Sequence, residues 1–127
     1  MKFFAGLDFD PDQSEEIIEF VSDGVLFDLH NTAVLVDVSL DGSDVLAFRF
    51  DMLDEYVNPK AIGAAPVITF TGVRMLSIVQ DDDFTPLEGW SFHGLEWSLS
   101  SDTARFDLQL GGFEVGFTAT GATFTRG

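Results

Sequence analysis

The chain has 127 residues with 22 Asp+Glu against 6 Lys+Arg, a formal net charge of −16. That balance excludes a nucleic-acid binder working through a basic surface and argues against docking on anionic lipid. With 46% apolar and 22% charged residues the composition is globular, and folding at this length hides about two-thirds of the extended chain's surface, enough for one core.

Residues 1–127 are therefore expected to form one domain. No run of apolar residues approaches the roughly 20 needed to span a bilayer. Met1 to Leu7 is apolar but is cut off by Asp8, too short for a signal-peptide core. The absence of cysteine removes disulfides and thiolate chemistry and makes a reducing cytoplasm the expected compartment.

The first element reads as a short N-terminal helix. Asp12 can cap it, with Glu15 three residues on as in a capping box. Ile17, Phe20 and Val21 then fall on one stripe at i, i+3 and i+4, and Gly24 serves as the stop. Beyond Gly24 the period becomes two. Val34, Val36, Val38 and Leu40 alternate with Leu35, Asp37 and Ser39; Asp41-Gly42 turns; Leu46, Phe48 and Phe50 alternate with Ala47 and Arg49. This is a β-hairpin.

From Asp51 to Ala65 the pattern is that of a long loop. Val67 to Thr71 alternates, Gly72 interrupts as a bulge would, and Val73 to Ile78 resumes. Asp81 to Pro86 is an acidic loop. Trp90 and Phe92 open a third strand region whose phase shifts at Gly94, so that Leu95, Trp97 and Leu99 carry the apolar side. Ala104, Phe106, Leu108 and Leu110 alternate cleanly, Gly111-Gly112 turns, and Phe113, Val115, Phe117 and Ala119 return before a break at Gly121. The expected architecture is mostly β (α+β): an antiparallel curled sheet or two-layer sandwich with the one short helix, filled by 14 Phe and two Trp.

Signatures of catalysis are missing. There is no Gly-x-Ser-x-Gly elbow and no phosphate loop, since Gly111 to Gly116 lacks the lysine and the spacing. Paired carboxylates of the glycosidase kind carry no weight where 22 acids always offer pairs. Asp8, Asp10, Asp12, Ser14, Glu16 and Glu19 follow the oxygen-ligand spacing of a calcium loop. However, Gln13 stands where the loop needs glycine, and too few residues precede it for an entering helix. A helix cap with an acidic first turn is the plainer reading. His30 and His93 each lack a second ligand at metal spacing and are read as hydrogen-bonded structural histidines, with a general-base or ligand-binding role as the alternative. No metal and no cofactor are expected.

The charge itself remains. Acids gather in loops, at Asp51, Asp54 and Glu55 and at Asp81, Asp82, Asp83 and Glu88. Others project from the polar strand faces, at Asp37, Glu96, Asp107 and Glu114. A charge of −16 on 127 residues exceeds what solubility requires. It suits a surface complementary to a basic partner, where opposite charge speeds encounter and close pairs slow release.

Phe27-Asp28-Leu29-His30-Asn31-Thr32-Ala33-Val34 with the following hairpin, Thr69-Phe70-Thr71-Gly72-Val73, and the closing Phe106 to Phe124 strand pair resemble the immunity protein 50 family of bacterial polymorphic-toxin immunity proteins. The likeness spans roughly positions 27–124. Asn31-Thr32-Ala33 departs from the Asp-Ala that the family carries after its histidine, and the motif brings no catalytic role. The resemblance implies a small intracellular protein that neutralises a toxin by binding it. The expectation is thus a non-enzymatic acidic binder of a basic protein, a toxin or nucleic-acid enzyme, touching it through Asp51, Asp54, Glu55, Asp81, Asp82, Asp83 and Glu88. Neither direct nucleic-acid contact nor membrane contact is expected. A DNA-mimic inhibitor of the anti-restriction or anti-CRISPR kind, and a small ligand-binding or enzymatic β domain using His30 or His93, are the alternatives.

Overall fold

Period-two alternation of apolar residues builds almost everything in the structure, a computed structural model that describes residues 2–13, 16–53, 59–80 and 91–127. In chain order the strands are β1 (Phe4–Ala5), β2 (Glu19–Ser22), β3 (Val25–Asp28), β4 (Ala33–Asp41), β5 (Val45–Met52), β6 (Val67–Thr71), β7 (Arg74–Gln80), β8 (Phe92–Ser100), β9 (Thr103–Leu110), β10 (Phe113–Ala119) and β11 (Gly121–Thr125). A 3-10 turn, Pro59–Ala61, precedes β6. The strands form a five-stranded sheet of order β1-β11-β6-β5-β4, a four-stranded sheet of order β7-β10-β9-β8, and the separate β2-β3 hairpin. All pairings are antiparallel except β1 with β11.

The two larger sheets share one bent ribbon. β6 runs into β7, and β10 into β11, at corners where each chain changes sheets. Thr120 N–H donates to Thr71 O at 2.9 Å to tie the two corners together. Gly72 turns the first corner with φ +64°, and a Cβ there would overlap the Thr120 side chain. Glycine meets both demands, since it tolerates positive φ and close approach. The sequence break at Gly72 is thus a change of layer rather than a bulge within one strand.

Rings fill the space between the layers. Phe70 of the five-stranded sheet meets Phe106 and Phe117 of the four-stranded sheet at centroid distances of 4.7 and 4.8 Å. Trp97 stacks on Phe106 at 5.8 Å, and Phe50 meets Phe92 edge-on at 5.7 Å. Phe20 and Phe27 of the small hairpin close over Phe124. Such pairs prefer tilted or offset contacts and add about 0.5–1.5 kcal/mol beyond the area they bury.

Among the described residues the expected N-terminal helix does not form, and Glu19–Ser22 make the first strand of the β2-β3 hairpin instead; Glu15 of the expected capping box lies outside the described residues. Phe20 and Ser22 point inward while Glu19 and Val21 point out, which is a period of two. Ile17, Ile18 and Val21 are β-branched, stiff at χ1, and fit a strand better than a helix. Asp23-Gly24 is not a helix stop but the hairpin turn: both residues have positive φ, 52° and 73°, and Ser22 pairs directly with Val25. Positive φ at both central positions is the type I′ geometry that matches strand twist, and Asp-Gly favours it. Ile17 then forms a two-bond bridge with Leu95, which fastens the hairpin to β8.

Phe106 is fully buried and touches rings from both layers. Phe106→Ala is expected to destabilise the protein by about 3–5 kcal/mol, since it removes apolar contacts and leaves a cavity. The shift of the urea midpoint at unchanged slope measures it.

Candidate functional site

The acidic residues divide into those spent on the fold and those left at the surface. Asp8 and Asp10 belong to the first group. Asp8 accepts from Asp23 N–H at 2.8 Å and Gly24 N–H at 2.9 Å, so its carboxylate secures the tight turn of the β2-β3 hairpin. Asp10 accepts from Phe3 N–H at 2.7 Å and Phe4 N–H at 2.8 Å, holding the first strand. Two of the residues with calcium-loop spacing, Asp8 and Asp10, are therefore turned onto backbone amides, and Ser14 of that set lies outside the described residues. Hydrogen bonds from Gly24 and Asp23 hold the Asp8 carboxyl below its ordinary value, aided by the nearby Lys2 cation and opposed by a little desolvation.

The outward face of the four-stranded sheet shows the second group. Register places Glu96 of β8 directly opposite Asp107 of β9, Asp107 opposite Gly116 of β10, and Gly116 opposite Ser77 of β7. The neighbouring row brings Gln109 opposite Glu114. Arg105 donates to Asp107 at 3.1 Å and lies over Gly116, where any side chain would displace it. The result is a polar trough of about 340 Å³ lined by Ser77, Glu96, Arg105, Asp107, Gln109 and Glu114, among others. Among the described residues no ion pair reaches Glu96. Like charges directly opposite on a sheet are destabilising, so this arrangement costs the isolated protein something.

The rim of the other sheet is apolar. β4 is the outermost strand and, among the described residues, pairs only with β5. Val34, Val36, Val38 and Leu40 are all more than a third exposed. Val38 and Leu40 stand opposite buried Phe48 and Leu46, so they continue the inner face of the sheet beyond its cover. The register slips between Leu35 and Asp37, making a bulge at Val36, beside a groove of about 300 Å³ along residues 35–38. Of the sequence-derived contact residues, Asp51 is exposed at the far end of β5, opposite Val34. Asp54, Glu55, Asp81, Asp82, Asp83 and Glu88 lie outside the described residues.

The two histidines, distant in sequence, come together. Their ring centroids are 5.1 Å apart at an interplanar angle of 58°, and both residues are exposed. His30 Nδ1 is bonded to Phe92 O at 2.7 Å. Asp28 shapes the turn that presents His30: its carboxylate accepts from His30 N–H, Asn31 N–H and the Asn31 side chain, and its carbonyl accepts from Thr32 N–H and the Thr32 hydroxyl. His93 is the extra residue where β8 slips against β9 between Phe92 and Gly94. The phase shift at Gly94 was visible in the sequence. The meeting of the rings was not, since nothing in the spacing of residues 30 and 93 signals it.

No family model and no characterised protein matches the chain by sequence. In fold it is similar to the crystal structure of an uncharacterized protein from Neisseria gonorrhoeae, with a TM-score of 0.51 and 12% sequence identity over 73% of this chain and 89% of that one. At that identity the likeness bears on the fold alone, a mostly β protein of antiparallel sheets. Among the described residues no helix is long and apolar enough to cross a membrane.

The lowered Asp8 pKa has a definite sign. A depressed folded-state value contributes stability above the ordinary carboxylate range, and that contribution is lost as pH falls through the folded value. Asp8→Asn can accept at one oxygen but not two. Its thermal midpoint should fall below the wild type's at pH 7, and the gap should narrow towards pH 3. A gap independent of pH would show that the charge is not what holds the turn.

Proposed function

We propose that the chain is a non-enzymatic acidic binding protein that blocks a basic protein, in the manner of an immunity protein neutralising a cationic toxin or nuclease. One observation carries the reading: Glu96 faces Asp107 across β8 and β9 with Glu114 one strand away, and among the described residues only Asp107 of the three receives a cation. A lysine or arginine from a partner, seated in this trough, would turn the repulsion into attraction. Arginine fits best, because its planar fork can bond two carboxylates. Val38 and Leu40 on β4 would add apolar contact area, beside a strand edge that among the described residues has no further pairing partner.

The acidic segment 81–88 supports the reading by sequence alone. It joins β7 to β8, the strands that bound the four-stranded sheet on either side. Asp51 lies in β5, the neighbour of β4, and Asp54 and Glu55 follow that strand in the sequence.

The test uses Glu96→Gln and a partner captured from the native host and then purified. Relieving a like-charge cross-strand pair is worth about 0.2–1 kcal/mol, so the variant should be as stable as the wild type or slightly more so. It should nonetheless bind the partner at least tenfold more weakly, and wild-type affinity should fall steeply from low to high salt. Affinity that is flat in salt, or unchanged in Glu96→Gln, refutes the reading. Displacement of DNA from the partner by the protein would favour nucleic-acid mimicry over toxin neutralisation.

A further inference from the structure

The His30–His93 pair has no role in that proposal, and its geometry points to a separate use. A carbonyl oxygen can only accept, so the bond to Phe92 O requires the proton of His30 on Nδ1. In the neutral ring Nε2 then keeps its lone pair. Metal-bound histidines are set up in the same way: one nitrogen donates to a carbonyl or carboxylate, which fixes tautomer and ring orientation, while the other faces the ion. The Asp28 turn holds the backbone of His30 with bonds of 3.2 Å to His30 N–H and 3.0 Å to Asn31 N–H.

His93 reaches its position through a bulge. β8 carries an extra residue there, which leaves Phe92 buried in the core and His93 exposed beside His30. Bulges of this kind re-aim side chains and are over-represented beside functional sites. Both rings are exposed, so their 58° contact hides little area from water. Packing alone gives no reason to hold them together.

We propose that His30 and His93 form a two-imidazole site for a divalent transition-metal ion of the copper, nickel and zinc group, with water completing the coordination shell. Imidazole suits these ions, whereas calcium and magnesium demand oxygen donors. No third His, Asp or Glu among the described residues joins the pair, so the site is open on its outer side. The bound ion would clip the loop after β3 to β8, reinforcing the Ile17–Leu95 bridge that joins the same two parts of the fold. The chain's −16 charge would raise the local concentration of any cation near it.

The experiment titrates the untagged full chain with Ni²⁺ and Zn²⁺ by calorimetry, with Ca²⁺ as the measure of binding by carboxylates. Ni²⁺ should bind one equivalent at least tenfold more tightly than Ca²⁺. His93→Ala and the His30→Ala/His93→Ala double variant should both lose that tight equivalent. His93→Gln keeps the bond between His30 and Phe92, and its circular dichroism and thermal midpoint should match the wild type's while the tight equivalent is lost. In nuclear magnetic resonance spectra Zn²⁺ should shift the ring signals of both histidines together. The proposal is overturned if the double variant gives the wild-type isotherm, or if Zn²⁺ moves signals of acidic residues and leaves both rings in place.

Discussion

Everything in this fold depends on hiding a wall of aromatic rings between two sheets. Phe70, Phe106 and Phe117 lock the layers at centroid distances of 4.7–5.3 Å, and the bent ribbon of β6-β7 against β10-β11 sets the angle at which the sheets meet. A ring buries more area than any aliphatic side chain and tolerates few orientations. Once the rings are placed, the polar faces have only one direction left. Glu96, Asp107 and Glu114 are outward because Leu95, Phe106, Leu108 and Val115 are inward. The trough is thus a by-product of core packing, although the choice of acids to line it is not.

Carboxylates do two kinds of work in the molecule. Asp8, Asp10 and Asp28 each accept two or more hydrogen bonds, mostly from backbone amides, and build turns. Such charge-assisted bonds are roughly twice as strong as neutral ones. Glu96 does none of this work among the described residues. The contrast separates acids that the fold requires from acids that the fold merely tolerates, and the second kind is where recognition by a cationic partner is sought.

Strict alternation made β4, β5, β9 and β10 legible in the sequence, and the turns at Gly42 and Gly111-Gly112 fixed their pairing. The β2-β3 hairpin was misread because Ile17, Phe20 and Val21 also satisfy a helical stripe. Over eight residues the two periods overlap, and Asp23-Gly24 should have decided between them. The breaks at Gly72 and Gly121 are legible in the sequence, but not as changes of layer, since a sheet switch is a tertiary event. The histidine pair and the Glu96–Asp107 pairing were equally hidden. The first joins a loop residue to a strand far along the chain, and the second depends on the exact register within the β8-β9 hairpin.

The outermost strand β4 has one more consequence. A nine-residue edge with four protruding aliphatic side chains, and with neither lysine nor proline to blunt it, is a template for self-zipping. Val36's bulge interrupts it only once. Asp37 and Asp41 on the edge, and the −16 charge of the whole chain, oppose such pairing by like-charge repulsion. That opposition is electrostatic, so it weakens as salt screens the charges or acid neutralises the carboxylates.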